Sequence, residues 1–420
     1  MQGLFNRSTA THFHPSLSLR VDALTGNGWL YPPSHIPLVY NRRMMHILPI
    51  PPSGPVRATF LARPNRFIVR AETPVLGVFD AYMPNPGRLR ELLLPGATLL
   101  LSPTAGKQPF VVAGVERDGE PVMLHTHWNN LVARRLLEAR LVPGLEDAEV
   151  VRAEFPVGHS RFDFLLRDPR GELLLEVKSC TLFGNGVAMF PDAITERGRR
   201  HLEELAALSR EGRRCAVLFV VHTPRVSCFQ PDYHTDLDFA QTLFAVRRDV
   251  QIVAASVRWN ADLTLDETVR ALPIPWPRIA RESQDRGAYL LLLRLPEPRR
   301  IDVGGLGTID FAAGHYIYVG SAMRGLTARM ARHVRLRKQY HWHVDYLRAR
   351  ADRAEVLAVR SSKREECSLA KAVGTLFQAG PAGLGSSDCD CPTHLFYCGA
   401  AHPLDQRDFH GLLERFRMRP

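Results

Sequence analysis

"GELLLEVKSCTLF", Gly171–Phe183, sets three leucines ahead of Glu176, Val177 and Lys178. The apolar run reads as a buried strand, and a buried strand has no evident need for a Glu and a Lys two positions apart. Side chains alternate between the faces of a strand. Glu176 and Lys178 therefore share one face, and Leu175 and Val177 point the other way. In the preceding "SRFDFLLRDPRG", Arg161 and Asp163 share a face opposite Phe162 and Phe164, and "RDPRG" is a turn. Folding the two strands together brings Asp163, Glu176 and Lys178 to one surface.

Two neighbouring carboxylates repel unless something positive lies between them. Mg²⁺ or Mn²⁺ suits hard oxygen ligands. Such an ion acidifies bound water and steadies charge on a phosphate, and a nearby Lys can position the attacking water. The set suits hydrolysis of a phosphodiester. A solvated strand face with a cross-strand ion pair accounts for the same three residues.

The chain of 420 residues has room for two or three cores. A formal charge of +11 points to a polyanionic partner. The excess is uneven: roughly +7 over 281–420 and roughly +3 over the first 55 residues. Seven scattered cysteines fit a reducing, cytoplasmic setting better than a disulfide framework. No apolar run nears the roughly 18–20 residues of a membrane span, so no membrane partner is expected.

Residues 1–54 are punctuated by Pro, Ser and Asn and read as a disordered tail, with Met44 or Met45 a plausible true start. Short β-rich runs separated by turn residues then predict a small β-barrel over 55–126. Strands mixed with helices predict an α/β domain over 127–272. It includes a helix near Asn129–Arg140, one at Thr195–Arg210 capped by Thr195, and one at Asp238–Arg247. "LPIPWPRIARESQDRG" predicts a linker over 273–285, followed by a third unit over 286–400 and an extension over 401–420.

The motifs "ARPNRFIVR", "MPNPGRLRELLLPGA", "NNLVARRLL", "GHSRFDFLL", "LLLEVKSCTL", "AMFPDAITERGRRHLEEL" and "CAVLFVV" fall in order and together resemble the sugar fermentation stimulation protein A family over about 56–257. The resemblance implies an oligonucleotide-binding (OB)-like barrel and a PD-(D/E)XK nuclease-like domain that bind DNA or RNA. Carried over, Asp163 and Glu176 are metal ligands, Lys178 is the catalytic lysine, and Glu154 is a further acid. The rival expectation is a DNA-binding regulator of sugar metabolism genes that does not cut.

Around that centre, Asn85, Gly87 and Arg88 lie in a turn that can touch phosphate. Arg161 is a further contact for nucleic acid. Arg197, Arg199 and Arg200 crowd the start of a helix, where cations oppose the dipole unless an anion binds. His201 reads as ordinary packing.

"GAYLLLLRL" and "HYIYVGSAMRGLTARMARHVR", followed by "HWHVDYL", "EECSLA" and "SSDCDCPTHLFYC", resemble an α+β GIY-YIG-like domain of uncharacterised function over about 286–398. The resemblance makes Tyr289 and Tyr318 the paired catalytic tyrosines, Gly320 a tight-turn glycine, Arg329 a catalytic phosphate or leaving-group contact and Glu366 a catalytic metal ligand. Arg332, His333 and Arg335 continue the helix as a basic surface for nucleic acid. A hairpin around "RRIDVGGLGTIDF" separates the two halves of the motif. Cys389, Cys391, His394 and Cys398 are acceptable zinc ligands in a local cluster. Their spacing is not that of a common finger, and buried free thiols with a hydrogen-bonded His fit as well.

Overall fold

Period-two alternation builds the first sheet. In the computed structural model, which describes residues 44–45, 47–158 and 160–420, strand Val56–Asn65 turns Ala58 and Phe60 inward, and Ile68–Thr73 turns in Val69 and Ala71. Gly77–Tyr82, Thr98–Pro103 and Phe110–Arg117 complete five strands. A parallel pairing of Tyr82 with Val111 closes them into a barrel, and Glu120–Met123 extends it. Closure leaves no long free edge among these five strands. Strand Gly77–Tyr82 follows a hairpin whose tip carries the exposed Val75.

The second sheet carries the opening motif. Gly171–Cys180 pairs antiparallel with Ser160–Asp168 and parallel with Arg214–Val221. Gln251–Ser256 continues the parallel part, while Glu149–Val157 and Arg270–Ala271 form the edges. Helices Glu196–Arg210 and Leu237–Val246 cover one face, packing Leu202, Leu205 and Leu243 in a core with Leu174 and Phe219. Helix Asn129–Glu138 covers the other, packing Val132 and Leu136 with Leu173, Leu175 and Val177. Both faces are covered, so the strand reads as a nearly continuous apolar run. Thr195 caps the long helix by accepting from Gly198 N–H at 3.1 Å.

The third sheet is antiparallel, in the order Arg353–Arg360, Gly287–Leu295, Gly314–Ala322, Leu395–Gly399, Gln378–Ala379. Helices Leu326–Val334 and His343–Arg348 pack on one face, and Glu366–Gly374 and Arg407–Arg417 on the other. The expected hairpin is present as Arg299–Asp302 with Thr308–Phe311. Among the described residues no helix is long and apolar enough to cross a membrane.

Three boundary readings change. The expected tail of 1–54 lies outside the described residues up to 43, but Met44–Met45 pairs with Leu265–Asp266 and Met45 joins the second core. The expected linker 273–285 contains helix Trp276–Glu282, pinned by buried Ile279, because "PWPRIARE" places proline in a first helical turn. The expected extension 401–420 is a clamp. Glu414 accepts from Arg117 of the barrel at 2.6 Å, and Arg417 bonds Asp232 of the second unit at 3.1 Å.

Asp345 is the hub of the third unit. Its wholly buried carboxylate takes Lys338 Nζ at 2.8 Å, Arg332 Nη2 at 3.0 Å and the backbone N–H of His341 at 3.0 Å; His333 Nδ1 stands 3.6 Å away. Burial opposes its charge, but these donors outweigh burial and hold the carboxyl well below the usual range. A depressed folded-state pKa means the stabilisation is complete above the ordinary value of about 4 and is lost as pH falls toward the folded value. Asp345→Asn is expected to cost about 3 kcal/mol at neutral pH by stranding Arg332 and Lys338. Denaturant titrations should show that gap narrowing below about pH 4; an unchanged gap would remove Asp345 from this role.

Candidate metal and nucleic-acid site

The strand Ser160–Asp168 leaves its neighbour at Asp163. Backbone pairing with Gly171–Cys180 ends at Phe164–Leu175. Beyond it, the Asp163 side chain takes over the ladder: Oδ2 accepts from the Val177 N–H at 2.7 Å. The alternation also breaks here. Phe162 packs in the core beneath helix Glu196–Arg210 and Phe164 in the opposite one, where simple alternation puts both on one side. Asp163 stands at this break, beside Glu176.

Asp163 is held at both oxygens, Glu176 at only one. Asp163 Oδ1 accepts from Asn130 Nδ2 at 2.7 Å. Glu176 Oε1 takes both Lys178 Nζ and His201 Nδ1, each at 2.5 Å. Glu176 Oε2 is buried and has no hydrogen-bond partner. Burial first, then the negative charge of Glu176, pushes the Asp163 carboxyl up to about 6. For Glu176 burial works in the same direction, but His201 and Lys178 outweigh it and the net shift is downward. One carboxylate is thus kept ionised while its neighbour is held close to protonation. A cation between them relieves this frustration, so the residues present fit a hard divalent ion.

The pair lines a cleft of about 760 Å³ between the barrel and the second sheet. Asn85 and Gly87 line the barrel side, and Arg66 and Arg197 flank it. Asn85 is buried in the turn, donating to Leu124 O at 2.9 Å and accepting from Gly87 N–H at 2.9 Å. Arg63 clamps the same turn through the carbonyls of Asn85, Gly87 and Arg88. A Cβ on Gly87 would lie 2.4 Å from the Asp192 carboxylate, so only glycine permits that approach.

The other expected residues divide between the cleft and the surface around it. Arg88 lies outside the cleft, with Nη1 3.9 Å from Glu355. Glu154 lines the cleft and pairs with Arg161 at 2.8 Å. Arg197 donates to His201 Nε2 at 3.3 Å. Arg199 and Arg200 are paired on the helix surface with Asp238 and Glu204. His201, expected to be ordinary packing, is a direct partner of Glu176, and Asn130, which carries no signal of its own in the sequence, is a direct partner of Asp163. His201 lies six residues past the Thr195 cap, among the apolar positions of its helix, which was the available signal.

In the third unit, Tyr289 and Tyr318 pack with ring centroids 6.3 Å apart, and Tyr289 Oη meets His333 Nε2 at 2.8 Å. Burial drives both phenols upward, away from what a general base requires. His333 is wholly buried, so it is a core partner of Tyr289 and not a surface contact for nucleic acid. Gly320 is not in a turn: it sits in mid-strand opposite Tyr289, whose ring leaves no room for a Cβ. Arg329 and Arg332 lie over the Trp342 ring at 4.4 and 4.2 Å, and Arg335 is exposed. Glu366 is bonded by the Ser321 hydroxyl and faces His394 at 3.3 Å. Cys398 is separate from the other cysteines of its cluster, its thiol turned to Phe396 O.

Comparisons with known proteins follow the same divisions. Residues 61–124 match the SfsA N-terminal OB domain, 127–262 the sugar fermentation stimulation protein RE domain, and 288–415 a domain of unknown function, DUF123, which is GIY-YIG-like. A sugar fermentation stimulation protein homolog of Methanothermobacter thermautotrophicus is 34% identical over 232 residues, covering 53% of this chain and 95% of that protein. The homolog of Chloroflexus aurantiacus is 40% identical over 195 residues, 46% of this chain and 75% of that protein. The solved structure of Pyrococcus furiosus SfsA in complex with Ca²⁺ is 30% identical, with a TM-score of 0.50, covering 55% of this chain and 99% of that one. An OB-like barrel, an α/β domain that matches the sugar fermentation stimulation protein RE domain and a GIY-YIG-like unit thus follow one another, and the chain belongs to the sugar fermentation stimulation protein family, extended by a DUF123 domain.

Proposed function

We propose that the protein binds nucleic acid and hydrolyses its phosphodiester bonds in a metal-dependent reaction at Asp163, Glu176 and Lys178. The observation that carries this reading is the buried, unpartnered Oε2 of Glu176 beside Asp163 on the wall of a wide cleft. Leaving a buried carboxylate oxygen unpaired is costly, and a cation there both satisfies it and offsets the repulsion from Asp163. The Ca²⁺ complex of the Pyrococcus relative supports a divalent cation. Mg²⁺ or Mn²⁺ is the working ion of this proposal, held by the Asp163 and Glu176 carboxylates.

Such an ion supplies Lewis-acid polarisation of a phosphoryl oxygen and a more acidic water. The chain's own groups do the rest. Asn130 and the Val177 N–H fix Asp163, and His201 fixes Glu176, so neither carboxylate need reorganise when a cation arrives. The Lys178 ammonium lies against the same carboxylate and offers positive charge where the attacked phosphoryl group becomes more negative. Arg66 and Arg197 attract the backbone phosphates and leave the bases unread, which makes binding depend on salt.

The test is cleavage of single- and double-stranded DNA and RNA in Mg²⁺ or Mn²⁺. Asp163→Asn and Glu176→Gln are each expected to lower turnover by more than about 10²-fold while leaving salt-dependent binding in place. Lys178→Ala should lower kcat more than it raises KM. Persistent metal-dependent cleavage in the carboxylate variants would sink this assignment. Binding without any turnover in the wild type would favour a non-catalytic DNA-binding regulator.

A second measurement separates ligands from their supports. Removing His201 or Asn130 frees a ligand oxygen without deleting the ligand. His201→Ala and Asn130→Ala should therefore weaken Mn²⁺ binding by about 10–100-fold. Unchanged affinity in a titration of the folded variants would mean that these contacts are only packing.

A further inference from the structure

Four soft ligands meet in the third unit, remote in sequence from the carboxylate pair. We propose that Cys367, Cys389, Cys391 and His394 form a closed, structural zinc site that ties the 380–394 loop to helix Glu366–Gly374. One ligand atom from each residue, all within 4.8 Å of one another, makes the cluster. Cys389 Sγ lies 3.5 Å from His394 Nε2. With Zn–S about 2.3 Å and Zn–N about 2.0 Å, a tetrahedron has an S–N edge of about 3.5 Å. All of these cysteines are free thiols.

A second observation points the same way. His394 is buried, and its other ring nitrogen, Nδ1, is 3.3 Å from Glu366 Oε1. The contact is an ion-pair distance and not an aligned hydrogen bond, since Nδ1 has no hydrogen-bond partner. A carboxylate behind a histidine is the usual support of a zinc-bound imidazole: it fixes the tautomer and turns Nε2 toward the metal. Here Nε2 faces the thiols. Three thiolates and one imidazole select zinc over hard cations, and four protein ligands leave no open coordination position.

The sequence hid this set because Cys367 comes from a different segment, at the start of the Glu366–Gly374 helix, whereas nearby Cys398 points away. The site also gives the loop a purpose. Residues 380–394 contain no helix or strand, yet Leu384 packs in the same core as Tyr318 and Tyr289. Zinc bound there holds the loop over the tyrosines and engages Glu366 as the positioning partner of His394. That role differs from the catalytic metal ligand expected of Glu366.

The full chain, untagged and purified without chelator, is expected to carry about one zinc by elemental analysis. Replacing zinc with Co²⁺ should give thiolate charge-transfer bands and tetrahedral d–d absorption. Cys389→Ser should lose that zinc, whereas Cys398→Ser should retain it. Zinc bound at the Asp163–Glu176 cleft would survive Cys389→Ser, which distinguishes the two sites. Should Cys389→Ser fail to fold, the wild type still decides: a chelator should release the zinc together with Cys367, Cys389 and Cys391 as newly reactive thiols. Glu366→Gln should weaken zinc about 10–100-fold, seen as faster release to a chromogenic chelator. A wild-type chain that neither contains zinc nor takes it up, or one whose thiols react equally with and without chelator, would overturn the proposal.

Discussion

Setting a half-buried carboxylate beside a buried one is the constraint on which the site is built. Asp163 and Glu176 sit at the point where two paired strands part, and neither position makes sense for stability alone. Removing carboxylates from water costs several kcal/mol each unless their oxygens are satisfied. The chain satisfies three of the four oxygens. The Val177 N–H and Asn130 serve Asp163, while Lys178 and His201 converge on one oxygen of Glu176. The fourth remains bare. The surrounding leucines and Val177 bury their side chains completely or nearly so, at about 1.5–3 kcal/mol each. That apolar strand supports an arrangement that is locally unfavourable.

The same constraint explains why the barrel and the second unit are fastened together. A cleft formed between two bodies keeps its shape only if they do not slide. Arg117 supplies one fastening, donating to Phe183 O and to Glu414 at 2.6 Å each. Asp192, just after the Val187–Phe190 strand, accepts from Leu89 N–H at 3.2 Å and so reaches the barrel's Asn85–Arg88 turn. The final helix, Arg407–Arg417, adds Arg417 on Asp232, and Met418 packs among Val187, Met189, Cys228 and Tyr233. A helix from the third unit therefore braces the first two, so the three units do not behave as beads on a string.

Much of this was legible because it is local and periodic. Alternation alone gave the shared face of Glu176 and Lys178, and "RDPRG" gave the hairpin that returns Asp163 to it. The Thr195 cap and its helix follow from a hydroxyl before an amphipathic run. What escaped depends on long-range placement. His201 looks like one more residue on an apolar helix face until the sheet beneath that face is known to present Glu176. Cys367 is 22 residues before Cys389, and only the docking of its helix brings them together. Residues 273–285 read as a linker because the stretch is Pro-rich and then charged, and 401–420 as an extension; three of their apolar side chains, Ile279, Phe409 and Leu412, are fully buried. The break in alternation at Asp163 has no sequence signal, since it arises where the strand leaves its neighbour.

The two proposed metal centres sort cations by chemistry. The cleft offers carboxylate oxygens with an ammonium nearby, open to solvent and to a polyanion, a setting for a hard ion that keeps exchangeable waters. The third unit offers thiols and an imidazole in a tight set, which hard ions bind poorly and zinc binds well. Zinc has four protein ligands in the cysteine cluster and only two carboxylates in the cleft, so that cluster takes zinc first and leaves the cleft to Mg²⁺ or Mn²⁺. The sorting also separates the roles of the units. An open oxygen site can exchange ligands and do chemistry, while a closed thiolate site fixes a loop. With its tyrosines buried and its Glu366 turned to His394, the third unit is built to hold its shape, and its exposed Arg335 and Arg337 add positive charge to the surface. The reacting groups proposed for the chain then lie on one strand and its hairpin partner, between two bodies that a distant helix keeps in register.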